Sequence, residues 1–417
     1  MLYLLFGYMF LYIHRPFEIW TRLATIQIER VYVITCLVAL LAYDRRTWSR
    51  SPHTVAIPLF IGSMLVSYLT GRHSEEGYAT IDKYLKMSVF YLLVLSVVGD
   101  ARTLRKLLIG FFVVMAVYLA HSLLEYHNGR HQYRMGIVRM IGVDESNSEP
   151  NAFAATIVYS FPLVLPLWPR RGHPGEAARD DRRLKRFLAG YVALGLLCIL
   201  LTGSRQSFVG LLILGLYGVS VSRRRLLLLL ALAVAAPVGW QMLPESLQNR
   251  YLTLYDSSYG PENAQESAEG RKQGFYDGIA LWEKSPVTGV GPGAFGKGTG
   301  KGFQAHNLYG QVLGELGTLG ALAFGGVLVA FALNARKIRS STTSAEDDEG
   351  LFLRDLGRAI SLVVVMLLIF GNGSHNLYRY NWVWLAAFQA VAIHCVDDRL
   401  QAGRDQRGGV RGRHAHA

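Results

Sequence analysis

The sequence predicts an all-α membrane protein: a polytopic bundle of about 12 transmembrane helices, with one large loop on the non-cytoplasmic side between spans nine and ten. Three observations predict it. The chain has 417 residues, 51% of them hydrophobic, with a mean hydropathy of +0.23, more apolar than a soluble protein of this length usually is. The apolar residues fall in blocks rather than at helical or strand periods, and a bilayer span needs about 20 such residues. The basic residues are distributed unequally between the segments that separate the blocks.

Twelve blocks are expected as spans: 1–13, 31–43, 54–70, 83–98, 107–124, 152–168, 187–202, 206–221, 226–240, 314–334, 359–371 and 380–396. Several are short and need flanking Tyr, Trp or Arg to complete the crossing. Block 1–13 lacks a basic start and a small-residue cleavage site, so it reads as a short span rather than a signal peptide. With the N-terminus in the cytoplasm, the cytoplasmic segments are 44–53, 99–106, 169–186, 222–225, 335–358 and the tail after 396. They hold 26 Lys and Arg, against about 15 in the longer segments on the other side. By the positive-inside rule both termini are cytoplasmic. The same rule accounts for the net charge of +13 and for the basic tail, so nucleic acid is not expected as a partner. The chain divides into an integral domain, 1–396, and a basic tail, 397–417, expected to be disordered. Cys36, Cys198 and Cys395 all fall in predicted spans and read as small apolar fillers.

The outer face is where chemistry is expected. Residues 241–313 form the longest stretch outside the predicted spans, with a partly helical start at Glu245–Leu254, a Ser/Gly/Pro/Asn-rich loop at 257–269, and an amphipathic helix from Arg271 to Glu283 that Pro286 ends. A glycine-rich turn follows at 289–295, and it reads as a close-packing turn: no predicted strand leads into it and more glycine follows it. Ionisable groups at the membrane interface are functional candidates. Arg205, in Thr202-Gly203-Ser204-Arg205, lies at the outer end of a tight helical hairpin, where a guanidinium can bind a diphosphate bidentately. The plain alternative is an arginine that snorkels to headgroups. His306, followed by Asn307 at the mouth of a span, can take a proton from a hydroxyl, or can simply begin the helix. Arg271 opens the amphipathic helix, and a solvated charge is its simpler reading; Lys272 has less claim still. His121 and Glu125 share a helix face and read as structural. Glu149-Pro150-Asn151 reads as a helix start. No metal site is expected, because the acidic pairs fall on the cytoplasmic side and no Cys/His spacing suits zinc.

The ordered series Thr202-Gly203-Ser204-Arg205, Trp282-x-x-Ser285-Pro286-x-x-Gly289-x-Gly291-Pro292-Gly293-x-Phe295, His306-Asn307-x-Tyr309 and Gly314-Glu315-x-Gly317 resembles the O-antigen ligase/polymerase family of bacterial inner-membrane glycosyltransferases. Arg15-Pro16 and Pro150-Asn151-x-Phe153-Ala154 also fit, and Glu149 stands where an aspartate is more usual. The motifs cover about 150 to 320. The resemblance implies that Arg205 and Arg271 hold the diphosphate of an undecaprenyl-diphosphate-linked glycan donor. It implies that His306 acts on the acceptor hydroxyl, that Asn307 and Tyr309 join the arginines in binding substrate, and that neither metal nor cofactor is required. The large loop would be periplasmic. The acceptor, whether a lipid A-core sugar, another lipid-linked glycan or a protein hydroxyl, would separate ligase from polymerase or protein O-oligosaccharyltransferase. The residues themselves agree with a lipid-borne donor, since no cytoplasmic loop is long enough for the α/β domain that a nucleotide-sugar enzyme would use. A transporter or flippase for the same lipid-linked glycan is the competing class; it would show inverted repeats and broken spans with polar groups at mid-membrane, and no repeat is evident.

Overall fold

The computed structural model describes residues 1–44, 47–71, 74–134, 136–169, 176–222, 225–241, 243–253, 255 and 263–414. Part of the expected loop 257–269 and part of the segment 169–186, expected in the cytoplasm, therefore lie outside the described residues, as do the side chains of the tail beyond 402.

All twelve apolar blocks lie in helical backbone. The chain begins with α1 (Leu2–Ile13), two short helices α2 (Pro16–Ile19) and α3 (Thr21–Thr25), and α4 (Ile28–Leu41). Next come α5 (His53–Thr70), α6 (Glu75–Val97) and α7 (Ala101–His127). Ser74 caps α6 by accepting the Gly77 N–H, with Glu75 and Glu76 in the first turn; Asp100 caps α7 by accepting that of Thr103. Beyond α7 the all-helix expectation needs a correction. Strands β1 (His131–Arg134) and β2 (Ile137–Met140) pair antiparallel, with His131 opposite Met140. Only four residues per strand around Gly136 make a period too short to read from sequence.

Block 152–168 becomes α8 (Pro150–Ser160) continued by a tighter 3-10 stretch, Phe161–Leu167. Pro162 and Pro166 lack the N–H that α-helical bonding needs, so the backbone tightens. Then follow α9 (Glu176–Thr202), α10 (Arg205–Val221) and α11 (Arg225–Gln241). The large loop is mostly helical: α12 (Glu245–Leu252), α13 (Asn263–Lys284) and α14 (Phe295–Thr299). Helix α13 thus starts eight residues before the expected Arg271, inside the segment read as loop. A one-turn helix, not further loop, follows the glycine turn. The last helices are α15 (Leu308–Thr342), α16 (Asp348–Gly371) and α17 (Tyr380–His414). Helical backbone in α17 continues through the segment that was expected as a disordered tail.

The protein is an all-α membrane protein save for the hairpin. Five of its helical segments are long and apolar enough to cross a bilayer: His53–Thr70, Ala101–His127, Pro150–Leu167, Arg179–Thr202 and Leu308–Thr342. Their outward faces carry exposed Leu59, Leu69, Val117, Leu322 and Val329, which suits lipid rather than water. Inside, α17 is central. Trp382, Trp384 and Phe388 are fully buried, and Trp384 packs on Phe90 of α6 with ring centroids 4.2 Å apart. In lipid such contacts stabilise by close packing, because the tails are as apolar as the core.

Polar contacts sort the connecting segments into two ends. At one, Thr47 N donates to Ser96 O, Arg399 pairs with Asp347 and Lys337 with Asp397, joining segments expected in the cytoplasm. At the other, segments 14–30, 71–82, 125–151, 203–205, 241–313 and 372–379 meet one another, all of them expected on the outer side.

Candidate active site

The site begins at the turn between α9 and α10. Gly203 has φ 59°, the left-handed conformation that ends a helix cheaply only for glycine. Ser204 then caps α10 by accepting the Ser207 N–H, which makes Arg205 the first helical residue. The orphan carbonyls of α9 are taken by two arginines: Arg139 Nε of β2 donates to Thr202 O at 2.7 Å, and Arg250 Nε of α12 donates to Gly203 O at 2.7 Å. Arg205 is therefore displayed by a braced turn. Its Nη1 donates to Thr253 Oγ1 at 2.9 Å.

The second arginine is positioned by glycine packing. Arg271, Gly274, Gly278 and Leu281 share one face of α13, and that face lies on α15. A Cβ on Gly274 would strike the Ala305 carbonyl, and one on Gly278 would strike the backbone of Gly310. Backbones this close fix the end of α13 that carries Arg271 against the start of α15. Burial pushes the Arg271 guanidinium below its ordinary range, and the neighbouring charge of Arg205 pushes it further the same way. The two arginines thus feel each other's charge. Lys272 is exposed.

The glycine turn is a packing device, as the sequence suggested, and the groove it fills is specific. Gly317 has φ 64° and kinks α15. Around this kink Val290 N donates to Gly314 O (3.0 Å), Gly291 N to Glu315 O (2.9 Å) and Thr318 N to Pro286 O (2.9 Å). Gly293 N and Tyr378 Oη both donate to Glu315 Oε2, at 2.8 and 2.7 Å. The two glycine motifs are therefore two halves of one joint.

His306 sits in a left-handed conformation, φ 42°, with its ring exposed. A non-glycine residue there is strained, and such strain concentrates at functional sites. Asn307 is buried and caps α15, accepting the Gly310 N–H at 3.0 Å, while its Nδ2 donates to Asn372 O at 3.4 Å. Tyr309 Oη donates to Leu368 O at 3.0 Å. Both side chains have protein partners that account for them.

What brings these pieces together is the segment Phe370–Arg379 between α16 and α17, which the sequence reading passed over. Gln206, next to Arg205, donates to Phe370 O at 2.7 Å. Arg271 lies against Gly373, its Nε 2.9 Å from where a Cβ would stand. The His306 ring meets His375 edge to face, centroids 5.3 Å apart. His375 Nδ1 is buried without a hydrogen-bond partner among the described residues. Burial, then the charges of His306, Arg379 and Lys83, push His375 down to about 3, so it is neutral at physiological pH. A histidine in a short outer loop between two apolar blocks was the available signal, by the same logic that singled out Arg205. His121, read as structural, pairs with His14 at 2.8 Å, away from this segment. Among the described residues no three His, Cys, Asp or Glu side chains gather as a metal site.

The fold and this face define an integral membrane protein with cationic and imidazole groups gathered at one end of its helical bundle. Residues 190–325 match the family model O-Antigen ligase (Wzy_C), and the matched stretch includes Arg205, Arg271, His306 and the α15 kink. The match supports glycan transfer of the O-antigen ligase/polymerase type at the level of the family. No curated protein matches the chain.

Proposed function

We propose that this protein transfers a glycan from an undecaprenyl-diphosphate donor to an acceptor hydroxyl at the periplasmic face of the bacterial inner membrane, in the manner of an O-antigen ligase and without a metal ion. The observation that supports it best is the meeting of Arg205, Arg271 and His306 around the Phe370–Arg379 segment. The acceptor hydroxyl gives its proton to His306 as its oxygen bonds to the anomeric carbon. The bond from that carbon to the diphosphate breaks, and the electron pair leaves with the diphosphate. Arg205 and Arg271 neutralise the charge that develops on the leaving group. Two guanidinium groups whose charges repel each other bind such an anion more strongly than either alone, and low dielectric at the interface enlarges the effect. Twelve spans with both termini cytoplasmic complete the reading: the positive-inside count and the sorting of contacts into two ends support it.

The test is transfer in proteoliposomes supplied with lipid-linked donor. Arg205→Ala and His306→Ala should each abolish it while protein level and membrane insertion stay normal. Full transfer by either variant removes that residue from the mechanism. Glycan analysis of a deletion strain identifies the acceptor: unlinked polymer accumulates for a ligase, single-repeat glycans for a polymerase, and unmodified glycoproteins for a protein transferase.

A further inference from the structure

A second group of cations lies at the far end of the same segment. Arg379 closes Phe370–Arg379, and with Arg15 and Lys83 it lines a small cleft whose wall includes Ser146, Asn147 and Asp144. The three converge on one short turn. Arg15 Nη1 and Lys83 Nζ both donate to Ser146 Oγ, each at 2.9 Å. Arg379 donates through Nη2 to Ser146 O at 3.2 Å and through Nη1 to Asn147 Oδ1 at 2.9 Å.

The charge here is incompletely balanced. Arg15 is ion-paired with Glu18 at 2.5 Å. Asp144 is fully buried, and its carboxylate accepts from Tyr118 Oη at 2.5 Å and Asn147 Nδ2 at 3.1 Å. Lys83 and Arg379 have only neutral oxygens as hydrogen-bond partners among the described residues. A serine hydroxyl that accepts from two cations at once stands where an anionic oxygen would be held better. Like charges drawn this close at a half-buried site cost stability unless an anion joins them.

We propose that this cleft is a second oxyanion subsite, which holds a phosphate or carboxylate carried by the acceptor while the donor diphosphate sits at Arg205 and Arg271. The assignment of the donor side rests on the function proposed above. Its geometry follows from the reaction. A displacement at an anomeric carbon brings the nucleophile to the face opposite the leaving group. The acceptor must therefore be anchored across the base from the diphosphate. Arg271 meets the segment at Gly373 and the second group meets it at Arg379, with His375 and its neighbour His306 between. The chemistry required of the occupant is an oxyanion on a sugar or its linkage, recognised bidentately by Arg379 and as a point charge by Lys83.

The full chain in nanodiscs, titrated with inorganic phosphate and separately with undecaprenyl diphosphate, tests this. In an Arg205→Gln, Arg271→Gln double variant, phosphate should still bind, within about twofold of wild type, and adding Lys83→Gln should weaken it by about tenfold or more. Undecaprenyl diphosphate should behave in the opposite way, weakened by the double variant and unchanged by Lys83→Gln alone. Ser146→Asp guards against misfolding as an explanation: it supplies the missing anion from the protein, so it should raise Tm and abolish phosphate binding at this site. Two results overturn the proposal: phosphate binding indifferent to Lys83→Gln, meaning a purely structural cluster, or undecaprenyl diphosphate binding lost with Lys83→Gln alone, meaning that the donor occupies this cleft. If the double variant keeps full undecaprenyl diphosphate affinity, the donor assignment fails on its own and the phosphate arm still decides the subsite.

Discussion

Two regions of the bundle, the segments around Asp347 and the Phe370–Arg379 segment, handle charge in opposite ways. At the end expected in the cytoplasm, arginine and lysine meet carboxylates: Arg399 grips Asp347 through two hydrogen bonds of 2.7 Å, and Lys337 pairs with Asp397. These pairs are largely exposed and screened. Around Phe370–Arg379 the pattern reverses. Arg205 meets a threonine hydroxyl, and Arg379 meets an amide oxygen, a hydroxyl and a carbonyl. Charge that is satisfied by carboxylates is finished chemistry. Charge held by neutral oxygens remains available to an anion, and the positive-inside rule offers no topological reason for it on the outer side.

Substitution should separate the ends most sharply at the proposed catalytic groups. Arg205→Ala, Arg271→Ala and His306→Ala should each lower kcat/KM for transfer by about a hundredfold or more, read as initial rates in proteoliposomes. The glycine joint comes next. Gly278→Leu drives a side chain into the Gly310 backbone, and Gly289→Val adds a β-branched residue at φ 69° against Glu315, so both should cost about 3 kcal/mol or more and reduce the folded fraction seen by size-exclusion chromatography in detergent. His375→Gln removes the ring that packs on His306 and should lower kcat about tenfold with KM for the donor held. An equal fall in donor affinity would mean that His375 shapes the diphosphate side instead.

The smallest effect belongs to the other end. The Arg399 hydrogen bonds hold Asp347 down, from 3.8 to about 2. Because the folded-state value is the lower one, the stabilisation is fully present above pH 3.8 and is lost as pH falls toward 2. Asp347 is half exposed, so screening keeps the contribution small. Asp347→Asn should leave transfer at neutral pH unchanged and flatten the loss of Tm between those two pH values. A marked loss of transfer in this variant would erase the contrast between the ends.

The contrast also shows which features were legible. Each of the twelve apolar blocks lies in helix, because about 20 apolar residues in a row have no better use than helical backbone in lipid. The helix start at Pro150 was readable too, since capping is local chemistry, and Ser204 and Asn307 cap α10 and α15 by the same chemistry without having been singled out as caps. Arg205, Arg271 and His306 were flagged by position along the chain. The two halves of the glycine joint were visible as motifs, but nothing in their spacing said that each is the other's socket. The β1–β2 pair was too short to announce itself, and α13 began earlier than its amphipathic stretch. His375, Lys83 and Arg379 went unnoticed, for each lies alone in its own stretch of sequence and gains meaning only from distant neighbours.

By itself, the sequence determined that this is a helical membrane protein, because solvation by lipid or water acts on each segment independently. It also marked three residues worth suspecting. Only the tertiary structure decided that the segment after α16 gathers those residues, and that a second cation group meets its far end. Electrostatic and packing contacts depend on distance in space, and residues 15, 83, 146 and 379 become neighbours only after the bundle has closed.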